Sequence, residues 1–156
     1  MMLSVEGIVL LTVAGLFIFG LLSLCRAIRR YVEFSTPYFK VIRKKDGKLI
    51  PGLSIGKLSR YLAKALAAKG TTVQGVIAEE SGSRLMIHYW TFPSMLWILC
   101  YNVDNPPTRW AVLLKAEYVL IGRLFGVNPK KEVATIEAQL REIIANIPEV
   151  SAIQWK

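Results

Sequence analysis

The chain offers little to build a reaction centre from: a single histidine, two cysteines and eleven carboxylates in 156 residues. His88 sits in an apolar run beside Tyr89 and Trp90, and a catalytic imidazole needs a partner group that orients it or takes its proton. Glu79 and Glu80 are adjacent, so in an extended chain they point to opposite faces, which does not suit paired acid and base work. Cys25 and Cys100 lack the paired spacing of a zinc or redox site and form no disulfide framework. Gly56-Lys57-Leu58-Ser59 lacks the upstream glycine and strand of a phosphate loop. Asp104, within Asn102-Val103-Asp104-Asn105-Pro106-Pro107, reads as turn chemistry. The expectation is a protein that is not an enzyme and takes no cofactor or metal. The alternative is a domain that binds or acts on lipid headgroups, with His88 or Glu79 as the acting group.

Charge and aromatic content point toward binding. Residues 26–69 hold twelve of the twenty Lys and Arg against two acids, whereas residues 70–156 are balanced at eight of each sign. Arg26, Arg29 and Arg30 come first, then Arg43, Lys44, Lys45 and Lys48, then Lys57, Arg60 and Lys64 on one side of an amphipathic stretch. Such a strip attracts anionic membrane lipid or an acidic protein surface, and nucleic acid is the less favoured partner. The aromatics crowd the middle of the chain. Trp90, Trp97, Tyr101 and Trp110 are either core or a partner-binding face. Alternation places Trp97, Leu99 and Tyr101 on one side of a strand, with Leu96, Ile98 and Cys100 on the other.

These residues need elements to hold them. Residues 7–25 are nineteen positions without a charge, about 28 Å as a helix at 1.5 Å per residue, enough to cross a hydrocarbon core. Arginines follow it and no Lys or Arg precedes it, so the positive-inside rule predicts a single-pass inner-membrane protein. Residues 1–6 would lie outside, 26–53 would be a basic juxtamembrane connector, and 54–156 a cytoplasmic domain. Within that domain Ile55, Leu58, Leu62 and Leu66 predict a helix over 54–69 closed by Gly70. β-prone runs over 72–78, 84–90, 95–103 and 110–118, with short turns between them, predict an antiparallel meander. Asn128 and Pro129 open a second helix whose stripe is Val133, Ile136, Leu140, Ile143, Ile144 and Ile147, ended by Pro148. Residues 150–155 close the chain as a strand, and 118–127 is open between helix, strand and a membrane-dipping loop. The predicted class is α+β: a transmembrane helix followed by an α-β-β-β-β-α-β domain with a mainly antiparallel sheet.

Short patterns over 54–156 resemble small uncharacterised bacterial α+β domains. They are Ala67-Ala68-Lys69-Gly70, Tyr101-Asn102-Val103-Asp104 followed by Thr108-Arg109-Trp110, Arg123-Leu124-Phe125-Gly126, and Ile153-Gln154-Trp155. The resemblance implies a fold and no catalytic residues. By analogy it implies an immunity or accessory factor that binds another protein.

Overall fold

A computed structural model describes residues 12–13, 15, 25–39, 53–79, 82–89, 94–104, 108–119, 126 and 128–156. In chain order the elements are β1 (Cys25–Ser35), α1 (Leu53–Ala68), β2 (Gly75–Glu79), β3 (Gly82–Tyr89), β4 (Met95–Asn102), β5 (Arg109–Val119), α2 (Pro129–Ala145) and β6 (Ser151–Trp155). The six strands form one antiparallel sheet in the order β2-β3-β4-β5-β1-β6.

Strands β2 to β5 are the expected meander, each beside its predecessor because the turns are short. β1 pairs with β5 along its whole length, from Cys25 opposite Val119 to Ser35 opposite Arg109, and β6 pairs with the far side of β1. Both helices lie on one face. Leu58, Leu62 and Leu66 of α1 are fully buried there, as are Leu140 and Ile144 of α2, over Val32, Phe34, Leu85, Ile98, Val112 and Leu114 of the sheet.

Local chemistry sets the element ends. The Asn128 side chain accepts from the Lys131 N–H at 3.2 Å, and Pro129 occupies the first helical turn where its missing donor costs nothing. Gly70 stops α1 at φ +83°, with the Thr71 N–H reaching back to the Leu66 carbonyl at 3.0 Å. Gly82 is required by close approach, because a Cβ there would stand 2.5 Å from the Cys100 carbonyl oxygen of β4.

One large expectation is overturned. Among the described residues no helix is long and apolar enough to cross a membrane. Cys25, taken as the end of a membrane span, is the first residue of β1. Of the rest of 7–25 only Thr12, Val13 and Gly15 are described; these are helical and exposed, and the other positions lie outside the described residues. The single-pass inner-membrane placement and its orientation are withdrawn with the span. The physical reason concerns the arginines. Arg26, Arg29 and Arg30 belong to a strand in which Ile28, Val32 and Phe34 alternate with Arg29, Tyr31 and Glu33, so the sheet itself accounts for them. Residues 25–35 are thus part of the sheet and not a connector. Most of 118–127 lies outside the described residues, although Tyr118 and Val119 end β5.

Candidate functional site

The sheet has a second face, on which no described element packs. Period-two alternation delivers to it Tyr31 and Glu33 from β1, Arg84 and Met86 from β3, Trp97 and Tyr101 from β4, and Arg109, Leu113, Lys115 and Glu117 from β5. At its centre the Trp97 ring lies between two cations. The Arg84 guanidinium carbon is 4.6 Å from the ring centroid and the Lys115 Nζ, in the cross-strand position, is 5.2 Å away. These cations shield the ring, which is only 6% exposed, and are attracted to its π face. Each has its own counter-ion: Arg84 bridges to Glu79 at 2.6 Å, and Lys115 to Glu117. Two buried donors, Trp97 Nε1 and Arg84 Nε, nevertheless make no hydrogen bond of good geometry, the indole N–H meeting the Glu117 carboxylate only loosely. A buried donor without a well-formed bond is costly, and an acceptor from outside reaches these two where the covering Arg84 or Lys115 side chain moves aside. The Lys115 ammonium chiefly holds the Glu117 carboxyl below the usual range, against the effect of burial, with smaller help from Trp97 and Arg84.

Beside this centre lies a polar cluster. Glu33 accepts from the Tyr31 hydroxyl at 2.7 Å, from Arg109 at 2.9 Å and from Lys156 at 3.4 Å. The Tyr31 hydrogen bond, followed by Lys156 and Arg109, holds the Glu33 carboxyl low, with partial burial opposing. Burial first, then hydrogen bonding to Tyr101 and Glu33, pushes the Tyr31 phenol well above its ordinary value. The Tyr31 and Tyr101 rings lie 6.4 Å apart.

The helix side has a different concavity. A cavity of about 810 Å³ opens between the start of α2 and the ends of β3 and β4; Gln74, His88, Lys131, Glu132 and Thr135 line it over Leu96. His88 reaches it through an irregularity: between Met86 and His88 the β3–β4 register shifts, so that Met86 opposes Trp97 while His88 opposes Leu96. Glu79 is not there. It is tied to Arg84 on the other side of the sheet, so the two groups of the enzyme alternative stand apart.

The sites anticipated from sequence divide as follows. Trp97 and Tyr101 share the open face. Trp110 belongs to the other face and is fully buried, its indole N–H donating to the Thr36 carbonyl at 3.2 Å and its ring 5.7 Å from Phe39; it is a core residue. Trp90 lies outside the described residues, as do Arg43, Lys44, Lys45 and Lys48. Arg29 faces the open side, whereas Arg26 and Arg30 alternate to the helix side, where Arg30 bridges to Glu137 of α2 at 2.8 Å. Lys57, Arg60 and Lys64 line the outer side of α1; Arg60 and Lys64 are exposed and Lys57 half-buried. Cys100 is buried, and desolvation pushes its thiol up to about 12 despite a hydrogen bond with Ser59, so it is not a nucleophile. Sequence reasoning missed Arg84, Lys115, Tyr31 and Glu33. Their signal was strand alternation, legible once β1 is read as a strand. Among the described residues no three His, Cys, Asp or Glu side chains converge as a metal site. Comparison with known proteins returned no matching family model, no similar curated protein and no similar solved structure.

Proposed function

We propose that the chain is a non-catalytic protein-recognition module, in its most concrete form an immunity or accessory factor, whose recognition surface is the open sheet face. The observation that carries this reading is the Trp97 centre: a large aromatic between two cations, with two buried donors lacking a well-formed hydrogen bond, on a face no described element covers. Aromatic and arginine side chains of this kind anchor protein interfaces, and a partner carbonyl or carboxylate that draws the Arg84 side chain off the Trp97 ring would give these donors a full hydrogen bond. The test is co-purification from the native host with the full chain and with Trp97→Phe, which keeps a smaller aromatic ring and removes the N–H. A partner held by the wild type and weakened by Trp97→Phe supports the reading. A partner held equally by both removes Trp97 from the interface.

A second reading has its own observation, the cavity at His88. Lys131 and the amino end of α2 make it suited to an anionic group such as a lipid headgroup phosphate. Retention of anionic lipid alone, lost in His88→Ala and kept in Trp97→Phe, would favour it.

A further inference from the structure

The two edges of the sheet are built differently. β6 is a poor template for a further strand: its pairing with β1 is irregular between Glu33 and Ser35, Ala152 stands at φ 51°, and Lys156 closes its end with two backbone hydrogen bonds to Tyr31. Bulges, strained residues and end charges are how edge strands avoid unwanted pairing. β2 has no bulge and no positive-φ residue, and its one charge, the terminal Glu79, is bridged to Arg84. Its five residues pair with β3 in unbroken register, from Gly75 opposite Met86 to Glu79 opposite Gly82, and among the described residues no strand lies on its other side. Val76 and Ile77 project to opposite faces and are 47% and 50% exposed. Alongside runs a groove of about 490 Å³ between this edge and α1, lined by Ala63, Ala67, Gly70, Val73 and Val76. Small residues on the helix leave room there for a side chain from outside.

We infer that the β2 edge is a strand-addition site for an extended, acidic segment of a partner protein, whose main chain extends the sheet, whose alternate acidic side chains turn toward α1 with their stems over the groove, and whose apolar side chains between them pack beside Ile77 on the other face. Main-chain pairing supplies the affinity, and the groove selects the side chains. The charge on α1 chooses the occupant. Its sixteen residues include Lys57, Arg60 and Lys64 and no acid, and Arg60, Ala63, Lys64 and Ala67 follow the i, i+3, i+4, i+7 spacing that puts them on one side of a helix. An acidic segment in the groove therefore lies next to cations. A second copy of this chain is disfavoured by the same charges, since antiparallel pairing of β2 with itself would bring two basic α1 helices together across the two-fold axis. The inference goes beyond the open-face reading and uses a different surface.

The experiment measures fluorescence anisotropy of a labelled peptide alternating Val and Glu, about as long as β2, against the full chain. An alternating Val and Lys peptide is the control, and hydrogen exchange locates the contact. The expected result is saturable binding of the acidic peptide, slowed exchange at β2 amides, and binding about tenfold or more weaker in Val76→Glu/Ile77→Glu. Those side chains are exposed, so the variant keeps its core. Lys57→Gln/Arg60→Gln/Lys64→Gln should weaken binding and flatten its dependence on salt. Binding that ignores both variants, equal binding of the basic peptide, or no binding overturns the proposal. Self-association of the wild type in sedimentation, abolished by Val76→Glu/Ile77→Glu, would overturn it in favour of a second copy. Trp97→Phe should leave the peptide's affinity unchanged, so failure at this edge is separable from failure of the open-face reading.

Discussion

The same strands present two faces of opposite character, and the contrast shows how little of a strand's chemistry its composition decides. On the helix side, Val32, Phe34, Ile98, Trp110 and Leu114 are at most 1% exposed, and the Trp110 indole N–H has its acceptor. On the open side, one residue away along each strand, Trp97 is shielded by cations and its N–H makes no well-formed hydrogen bond. The first face is a finished core held by apolar contact. The second holds itself together with side chains that could equally meet another molecule.

The sharpest way to break this comparison is a pair of neighbours on β5. Leu114→Ala should cost about 2–5 kcal/mol in denaturant unfolding, from lost burial plus the cavity left behind, while Leu113→Ala, half-buried on the open face, should cost about 1–2 kcal/mol. Equal losses would mean that the open face is covered as fully as the other. Gly82→Ala comes next, at about 1–3 kcal/mol, because backbone must shift to admit the methyl against Cys100. Gly75→Ala is its control: nothing lies within 4 Å of the added Cβ, and the midpoint should scarcely move. Trp97→Phe should cost about 1 kcal/mol less than Trp110→Phe, since both lose the same part of a buried indole but only Trp110 gives up a well-formed hydrogen bond, leaving the Thr36 carbonyl without its donor.

The smallest effects are electrostatic and appear with pH. Asp104 accepts from the Thr108 N–H and the Arg109 N–H at 2.8 Å each and from the Thr108 hydroxyl at 2.6 Å. Partial burial opposes its charge, but these bonds outweigh it and leave the carboxyl below its ordinary 3.8. Glu137, between Arg30 and Arg141, is likewise held below 4.5 against burial. A carboxyl lowered by folding stabilises the fold above its unfolded value and loses that contribution as pH falls through the folded one. Stability should therefore be flat from neutral pH down to the ordinary carboxylate range and decline below it. Asp104→Ala should lower stability at neutral pH and make the acid decline shallower; an unchanged slope in urea melts across that range would remove Asp104 from the account.

Several parts of the fold were legible in the residues. The stripes Leu58-Leu62-Leu66 and Val133-Ile136-Leu140 dictate two amphipathic helices, and Asn128-Pro129 and Gly70 mark helix ends, because these signals act over one or two turns of chain. The four-strand meander follows from short turns for the same reason. β1 was hidden although its alternation is plain, because its arginines follow an uncharged run and charge after such a run reads as a topology signal. Pairing it with β5 joins residues about eighty apart, a contact no local pattern announces.

The candidate site divides in the same way. Alternation alone puts Trp97 with Tyr101 and apart from Ile98 and Cys100. It could not say that Trp110 lies on the helix-covered face, nor bring Arg84 and Lys115 from two other strands to the Trp97 ring, nor foresee the register shift that turns His88 toward the helix-side cavity. Local periodicity therefore determined which residues share an element and a face. Which face the helices cover, where β1 and β6 join the sheet, and which edge has no described neighbour were decided only by packing between distant segments, because burial depends on what the rest of the chain places opposite.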